Sequence, residues 1–506
     1  MKRLAKQGSI TCLWKHHSGM SSIRILHFND CYNIEPNLEE PVAGAARFKR
    51  ALQSSAGDDA VVLFSGDIMG PSIITTFTRG DHVIPVLNHC NVACAVFGNH
   101  EFEFGVDHLK EFTKRTNFPW LMSNLMDART GEPIANSRLH HVIHNRGKKL
   151  GLMGLVEKEW LSTLGTICDP EEQQYLDFVS EGAKHAKYLK EEEKVDFVIA
   201  LTHMRWPNDR RLAHEVEGID LILGGHDHDY GVEQVNGVSI VKSGSDFRTF
   251  SKIDIDLIDD HKPEIVVQKI EVTSAFTEDA ELKQVLDQYT QVMESKMEVE
   301  LARFGVDLDC RFAVVRSRET VLGNFAADVM CWATSADIAI VNSGTFRSDR
   351  IHAAASNFTF RDLVTILPKV SPIIVIRATG SQVHEALENG VSQFPNLEGR
   401  FPQVAGISFD FDPEKEPLQR ITASDIKIRG EPIQLDKEYK LVTKSFLANG
   451  RDGYAVLKNC PVLVNEEECI PFPLCVQQYF DRMQEHVITP KLEGRIINVR
   501  EHKEQQ

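Results

Sequence analysis

An α/β layered architecture in two or more domains is what the sequence predicts. Three observations carry it. Short apolar runs alternate with helical segments through the first half of the chain. At 506 residues the chain exceeds one ordinary core. A composition of 42% hydrophobic and 25% charged residues is that of a globular protein with enough apolar mass to bury.

The elements follow in order. Arg24-Ile25-Leu26-His27-Phe28 is a strand candidate that delivers Asn29-Asp30-Cys31-Tyr32-Asn33 to its end. Apolar residues at helical spacing begin at Gly44-Ala45-Ala46-Arg47-Phe48. Residues 60–64 form a second strand, which stops at Ser65-Gly66-Asp67. Residues 92–97 read as a buried third strand, and Gly98-Asn99-His100-Glu101 arrive where it stops. Residues 119–124 and 150–155 continue the pattern. A charged helical stretch around 176–194 leads into 195–201, which stops at Thr202-His203. Residues 219–223 then run into Gly224-Gly225-His226-Asp227-His228, and strand-like segments at 238–241 and 252–256 close the first unit. Thr277-Glu278-Asp279 starts a helix with Leu282, Val285, Leu286, Tyr289, Val292, Met293 and Met297 at helical spacing. The expected organisation is a flexible leader over 1–21, a catalytic domain over 22–275, a linker helix within 276–309, a second domain over 310–500 and a tail over 501–506.

Charge and cysteine usage narrow the partners. A net charge of -17 argues against nucleic acid and against an anionic membrane, since either would repel most of the surface. An anionic substrate would be repelled as well, unless metal ions or local arginines reverse the sign at the site. Ten cysteines without CxxC pairs suit reduced, buried thiols in a cytoplasmic protein. Residues 1–20 lack the apolar core of a secretory signal, and their Lys2, Arg3, Lys6 and Lys15 leave an organelle-targeting leader as the alternative. No apolar stretch reaches the length of a membrane span, and the polar end 501–506 carries no hydrophobic tail for a lipid anchor.

Five separate apolar runs each terminate in potential metal ligands: Asp30, Asp67, Asn99, His203, and the pair His226 and His228. A single Asp in such a place is usually a turn or a helix cap, and a single His a hydrogen-bonded residue. Five together are better explained by convergence, because ligands in α/β sheets gather beyond the carboxyl ends of strands. Asp oxygens, an Asn carbonyl and neutral imidazoles suit Zn, Mn, Fe or Co. Asp67 is the best candidate for a carboxylate bridging two ions. Two ions about 3.5–4 Å apart form the clamp used for in-line attack at phosphorus.

The series Asn29-Asp30, Gly66-Asp67, Gly98-Asn99-His100-Glu101, Thr202-His203 and Gly225-His226-Asp227-His228 resembles the calcineurin-like metallophosphoesterases, and more narrowly the 5'-nucleotidase family. The resemblance covers nearly all of the chain after the leader. It implies a four-layer α/β/β/α metallophosphoesterase domain followed by a second α/β, substrate-binding domain. It also implies two divalent metal ions, one on Asp30, Asp67 and His228 and the other on Asp67, Asn99, His203 and His226. His100 matches the histidine that steadies the phosphoryl transition state, and Glu103 stands where the family places an aspartate to orient it. Tyr32 stands where the family usually has His. It is either a ligand for a harder metal such as Fe or Mn, or a filler that binds no metal.

In the second domain, Ser317-Arg318-Glu319-Thr320, Asn342-Ser343-Gly344-Thr345-Phe346-Arg347 and 446–454 stand where relatives place substrate-binding groups. The resemblance thus points to Arg318, Asn342, Gly344, Arg347, Phe446 and Asp452. Two arginines anchor phosphate or carboxylate bidentately. Phe446 offers a face for a planar ring, and Asp452 an acceptor for ring N–H or sugar hydroxyls. The family sandwiches the base between two rings, yet Lys369 stands at the position of the first. Either a neighbouring aromatic such as Tyr454 supplies that second face, or the clamp is half missing and an anion-rich or sugar-like ester is preferred.

The expected function is a dinuclear-metal phosphohydrolase in which a metal-bound water or hydroxide attacks a small phosphate monoester, a nucleotide or a relative of one, while the second domain closes over the substrate. A sugar-phosphate or phosphoglycerate-glycoside phosphatase is the alternative on the same scaffold. A catalytically weakened binding or regulatory module is the alternative of another class.

Overall fold

The structure is a computed structural model that describes residues 22–70, 72–159, 172–257, 262–368, 372–465, 469, 471–483 and 487–504. The expected leader and Lys369 lie outside the described residues. Contacts divide the chain into two compact units, the first holding residues up to 70 and 79–287, the second 71–78 and 288 onward.

The first unit is built on two six-stranded sheets. Its sheet strands are β1 (Ser22–Phe28), β2 (Val61–Phe64), β3 (Val92–Val96), β4 (Trp120–Leu121), β5 (His140–Asn145), β6 (Lys148–Val156), β7 (Phe197–His203), β8 (Leu221–Gly225), β9 (Tyr230–Val235), β10 (Val238–Ser243), β11 (Thr249–Asp256) and β12 (Glu264–Glu271). One sheet runs β12-β11-β1-β2-β3-β4, with β1 to β4 parallel. The other runs β9-β10-β8-β7-β6-β5, parallel from β10 to β6. The central strands are buried on both faces, which is why they read as continuous apolar runs: β1 carries Ile23, Ile25, Leu26 and Phe28 at 0% exposure.

Helices cover the outer faces. α1 (Ala45–Ala56) lays Phe48 against Phe28 and Phe250 of the first sheet, at ring separations of 5.0 and 5.6 Å. α2 (Phe178–Glu191) and α3 (Trp206–Glu215) pack Phe178, Ala186, Leu189 and Leu212 on Met153, Leu155, Val198 and Ile222 of the second. The inner faces meet closely: Ser123 N donates to Gly154 O at 2.6 Å, and Ser65 Oγ to Leu223 O at 2.6 Å. The order is helix, sheet, sheet, helix. All parallel strands of β1–β3 and β7–β8 end at the side where the candidate ligands emerge, which is how the fold gathers them.

The second unit is a separate α/β body. Its five-stranded sheet runs Pro402–Ala405, Ile338–Asn342, Glu438–Lys444, Ile373–Thr379, Val462–Val464. Alternation along the strands divides its apolar residues between two cores: Ala339, Val341, Ile373 and Val375 on one face, Ile338, Ile340, Ile374 and Ile376 on the other. Helix Val321–Thr334 fills the first core and helix Gly380–Val391 the second. The short helix Ile73–Thr78 also belongs here, with Phe77 edge-on to Phe360 at 4.8 Å.

The contact boundary at 287/288 falls inside helix Ala280–Lys296, within the span read as a linker. The expected linker span 276–309 also contains strands Glu300–Phe304 and Leu308–Asp309, and Val499–Glu504, partly assigned to the tail, is helical. Among the described residues, no helix is long and apolar enough to cross a membrane.

Candidate functional site

The chain leaves β1, β2 and β8 through residues in the left-handed region: Asp30 at φ 52°, Asp67 at φ 65° and His226 at φ 76°. Asp and His are among the few L-residues that tolerate it, and the turn lets each side chain stay at its strand's end. Two glycines allow the loops after β2 and β3 to touch. A Cβ on Gly66, itself at φ 83°, would lie 2.4 Å from Gly98 N, and one on Gly98 would lie 1.9 Å from Asp67 Oδ1.

The loops bring five strand ends together. Asp67, His203 and His226 are buried, each with a donor atom within 4.8 Å of the others. His203 Nε2 is 3.0 Å from Asp67 Oδ2 and 4.0 Å from Asp30 Oδ1. His228 Nε2 is 3.5 Å from Asp30 Oδ1, and His226 N donates to Asp30 Oδ2 at 3.0 Å. Asn99 opens the single turn Asn99–Phe102 after β3, and its Oδ1 is buried without a hydrogen-bond partner. His100 N donates to Asp67 Oδ1 at 2.9 Å. Its Nδ1 meets Glu103 Oε1 at 2.6 Å, so the longer acid still reaches the ring. Tyr32 lies among Asp30, Asp67 and His228.

The electrostatics of this cluster suit cations. Asp30 and Asp67 are 0% exposed and are paired with imidazoles. Burial disfavours a charge on His203, but Asp67 and Asp30 outweigh it and push its pKa up to about 9. Burial likewise disfavours a charged Asp30, and His203 and His228 hold its pKa below the usual carboxylate value. His203 Nδ1 donates to Ser65 O at 2.7 Å, which leaves Nε2 to bind an electrophile. Buried carboxylates, an unpartnered amide oxygen and an oriented imidazole are the donor set of a transition-metal centre, and the residues present fit one.

The supporting roles of three groups were not legible in the sequence. Glu101, 0% exposed, accepts from Asp67 N at 2.8 Å, Ile68 N at 2.8 Å and Gly98 N at 2.5 Å, so one carboxylate braces the loops after β2 and β3. Lys242 of β10 is buried and donates to Gly225 O at 2.7 Å and Asp227 Oδ2 at 2.7 Å, with Asp209 Oδ2 at 3.0 Å. It ties the loop bearing His226 and His228 to α3. Glu157, also buried, accepts from Arg205 N at 2.8 Å and lies 3.5 Å from His226 Nε2.

In the second unit, Asn342 Nδ2 donates to Asp452 Oδ2 at 2.8 Å, and Gly344 N to Gly399 O at 2.8 Å. Arg347 and Arg318 are exposed, and Phe446 is 41% exposed. The structure adds Arg316, whose guanidinium lies 4.2 Å from the Phe312 ring centroid and whose Nε is buried without a hydrogen-bond partner. Burial and the nearby charge of Arg347 lower its pKa. Tyr454 corrects one expectation. It is 0% exposed, inside the second core, with its hydroxyl donating to Arg400 O at 2.7 Å, so it offers no face to a base.

Residues 23–230 match the calcineurin-like phosphoesterase family, and residues 296–459 match the 5'-nucleotidase C-terminal domain. The chain pairs a calcineurin-like phosphoesterase domain with a 5'-nucleotidase C-terminal domain. The mouse (Mus musculus) 5'-nucleotidase is 26% identical, over 94% of this chain and 90% of its own length. The trifunctional nucleotide phosphoesterase protein of Bacillus subtilis (strain 168) is 27% identical over 95% of this chain, which spans only 35% of that longer protein. Among solved structures, the NAD nucleotidase of Haemophilus influenzae superposes with a TM-score of 0.76 at 18% identity, over 94% of this chain and 99% of that one. A 5'-nucleotidase precursor from Thermus thermophilus reaches 0.57 at 24% identity, over 94% and 99%. These structural likenesses are likenesses of fold, a two-domain α/β organisation.

Proposed function

We propose that the chain is a two-ion phosphoester hydrolase that acts on a small phosphate monoester of the nucleotide class. The observation that carries this reading is the burial of Asp67, His203 and His226 around one point, with Asp30, Asn99 and His228 on the same strand ends. Asp30, Asp67 and His228 would hold one ion, and Asp67, Asn99, His203 and His226 the other. When bound, the ions supply Lewis acidity and an activated water for in-line displacement at phosphorus.

The chain's own groups do the remaining work. Glu103 holds the His100 ring through Nδ1, leaving Nε2 to meet the phosphoryl oxygens and the leaving group. Glu101 fixes the backbone that presents Asp67 and Asn99. In the second unit, Arg316 and Arg347 suit anionic groups of the substrate, Phe446 stacks a planar ring, and Asn342 orients Asp452 as an acceptor.

The full burial of Tyr454 favours a second reading of specificity. With Phe446 exposed and Tyr454 withdrawn, an anion-rich or sugar-like phosphoester is the alternative to a plain nucleoside monophosphate. Phosphate release from a panel of nucleoside monophosphates, dinucleotides and sugar phosphates, with Mn and with Zn, separates the two. Asp67→Ala and His203→Ala should abolish release from every substrate while near-UV circular dichroism stays native. Turnover at the wild-type rate in either variant would overturn the ligand assignment.

A further inference from the structure

We propose that Ser348, His352 and Asp362 of the second unit act as nucleophile, base and orienting acid in the hydrolysis of small carboxylic esters, an activity apart from the phosphoester site of the first unit. Ser348 Oγ lies 3.1 Å from His352 Nε2. The other ring nitrogen, Nδ1, lies 3.4 Å from Asp362 Oδ1. Arg350 stands beside both: its Nη2 donates to Asp362 Oδ1 at 2.7 Å, and its Nε faces His352 Nε2 from 3.5 Å. A hydroxyl, an imidazole and a carboxylate in this relation are recognised by geometry and role, not by order in the chain. Their distances are often looser without substrate than with it.

The partners set the tautomer. Two donors, the Ser348 hydroxyl and the Arg350 Nε–H, face Nε2, and the acceptor Asp362 faces Nδ1. The ring proton therefore sits on Nδ1, and Nε2 keeps the lone pair that a base needs. Burial lowers the pKa of His352, with Asp362 opposing the fall and Arg350 adding to it, so the ring is neutral near pH 7. Cys310 is neutral there too, because burial pushes its thiol up to about 12. Each member is also held from outside the group. Asp362 Oδ2 accepts from Thr359 N and Thr359 Oγ1, both at 3.0 Å, at the start of helix Phe360–Ile366. His352 lies on strand Ile351–His352, which pairs with Leu308–Asp309. The chain on either side of Ser348 is fixed by Arg347 N donating to Ile366 O at 2.9 Å and Cys310 N to Arg350 O at 3.0 Å.

The side chains of His352 and Asp362 are 8% and 18% exposed, whereas that of Arg350 is 56% exposed. The base and the acid are screened from water while the guanidinium is open to it, an arrangement that a small ester reaches from the surface. Ser348 Oγ bonds to the ester carbonyl carbon as its proton passes to His352 Nε2, and Arg350 stabilises the charge on the carbonyl oxygen. The carbon–alkoxide bond then breaks, and the leaving alcohol takes the proton from Nε2. A water follows the same course: its proton goes to Nε2, its oxygen bonds to the acyl carbon, and Ser348 leaves with the proton. The net reaction is ester and water to acid and alcohol, with no oxidant or reductant.

Full-length protein, as purified and again with chelator added, is mixed with p-nitrophenyl acetate, and separately with a fluorophosphonate followed by mass spectrometry of its peptides. The expected result is release of p-nitrophenol at the same rate with and without chelator, and a fluorophosphonate adduct on Ser348. Ser348→Ala, which keeps the imidazole and the carboxylate in place, should lose both while its near-UV circular dichroism stays native. Asp362→Asn should slow the release and move its pH midpoint down, because the carboxylate that favours the charged ring is gone; a purely structural role would leave that midpoint where it is. A wild type with neither release nor adduct overturns the proposal, as does release that persists in Ser348→Ala or disappears with chelator. None of these results bears on the two-ion reading of the first unit.

Discussion

Glu101 bears on the site without touching anything that reacts. Its carboxylate accepts at 2.8 Å or less from three buried backbone N–H groups of two loops, Asp67 and Ile68 on one side and Gly98 on the other, with Met69 N a fourth at 3.3 Å. Burial and the neighbouring Asp67 push its pKa up, and those N–H groups oppose the rise. Glu101→Ala leaves the three donors unpaired in the interior, which costs about 3 kcal/mol or more. Urea unfolding of chelator-treated protein checks this, and a loss below about 1 kcal/mol would contradict it. Gly98→Ala should be as damaging, because the added Cβ overlaps Asp67 Oδ1 at 1.9 Å. It should lower the ion count at equilibrium dialysis, since relief of the clash must move the carboxylate. The pattern Gly-Asn-His-Glu marks residues 98–101 as functional, but Glu101's role as a brace depends on where the loop after β2 lies, which no local pattern encodes.

At the scale of elements, Lys242 is the corresponding device for the second sheet. It sits on β10 at 0% exposure, and its ammonium joins Asp209 of α3, Asp227 after β8 and the carbonyl of Gly225. Burial raises the pKa of Asp209 in spite of Lys242. Lys242→Met therefore strands a buried carboxylate and should cost about 3–5 kcal/mol, with Lys242→Met/Asp209→Asn recovering part of the loss. Urea unfolding of the single and double variants measures the coupling, and additive losses would contradict it. Strand ends were legible because parallel strands buried on both faces read as unbroken apolar runs, as at 92–97 and 195–201, and the ligands follow directly. Helix Ile73–Thr78 was not, since it has only six residues and packs Phe77 on Phe360, a partner far along the chain. The burial of Tyr454 was hidden for the same reason: it is set by packing against distant residues.

For the whole molecule, two buried histidines give stability a dependence on pH. Burial lowers the pKa of His27 and of His82 to about 3. The unfolded chain takes up these protons near pH 6.5, before the folded one does, so the contribution of these two groups is full above about 6.5 and is lost as the pH drops toward about 3. Each contributes up to about 1.4 kcal/mol per pH unit across that window. Urea unfolding between pH 7 and pH 4 in chelator should show the fall, and His82→Asn should flatten the slope; an unchanged slope would contradict the account. The net charge of -17 sets the other demand on the whole chain. On the proposed reading, an anionic substrate would need bound cations or local arginines to reverse the sign where it binds.

The count of metal ions per chain tests the central claim most directly. Full-length protein reconstituted with excess divalent metal, desalted and measured by mass spectrometry of the elements, should hold two ions per chain, and Asp67→Asn should hold none or one because both positions share that carboxylate. A wild type that holds no ion, or an Asp67→Asn variant that still holds two, would contradict the account.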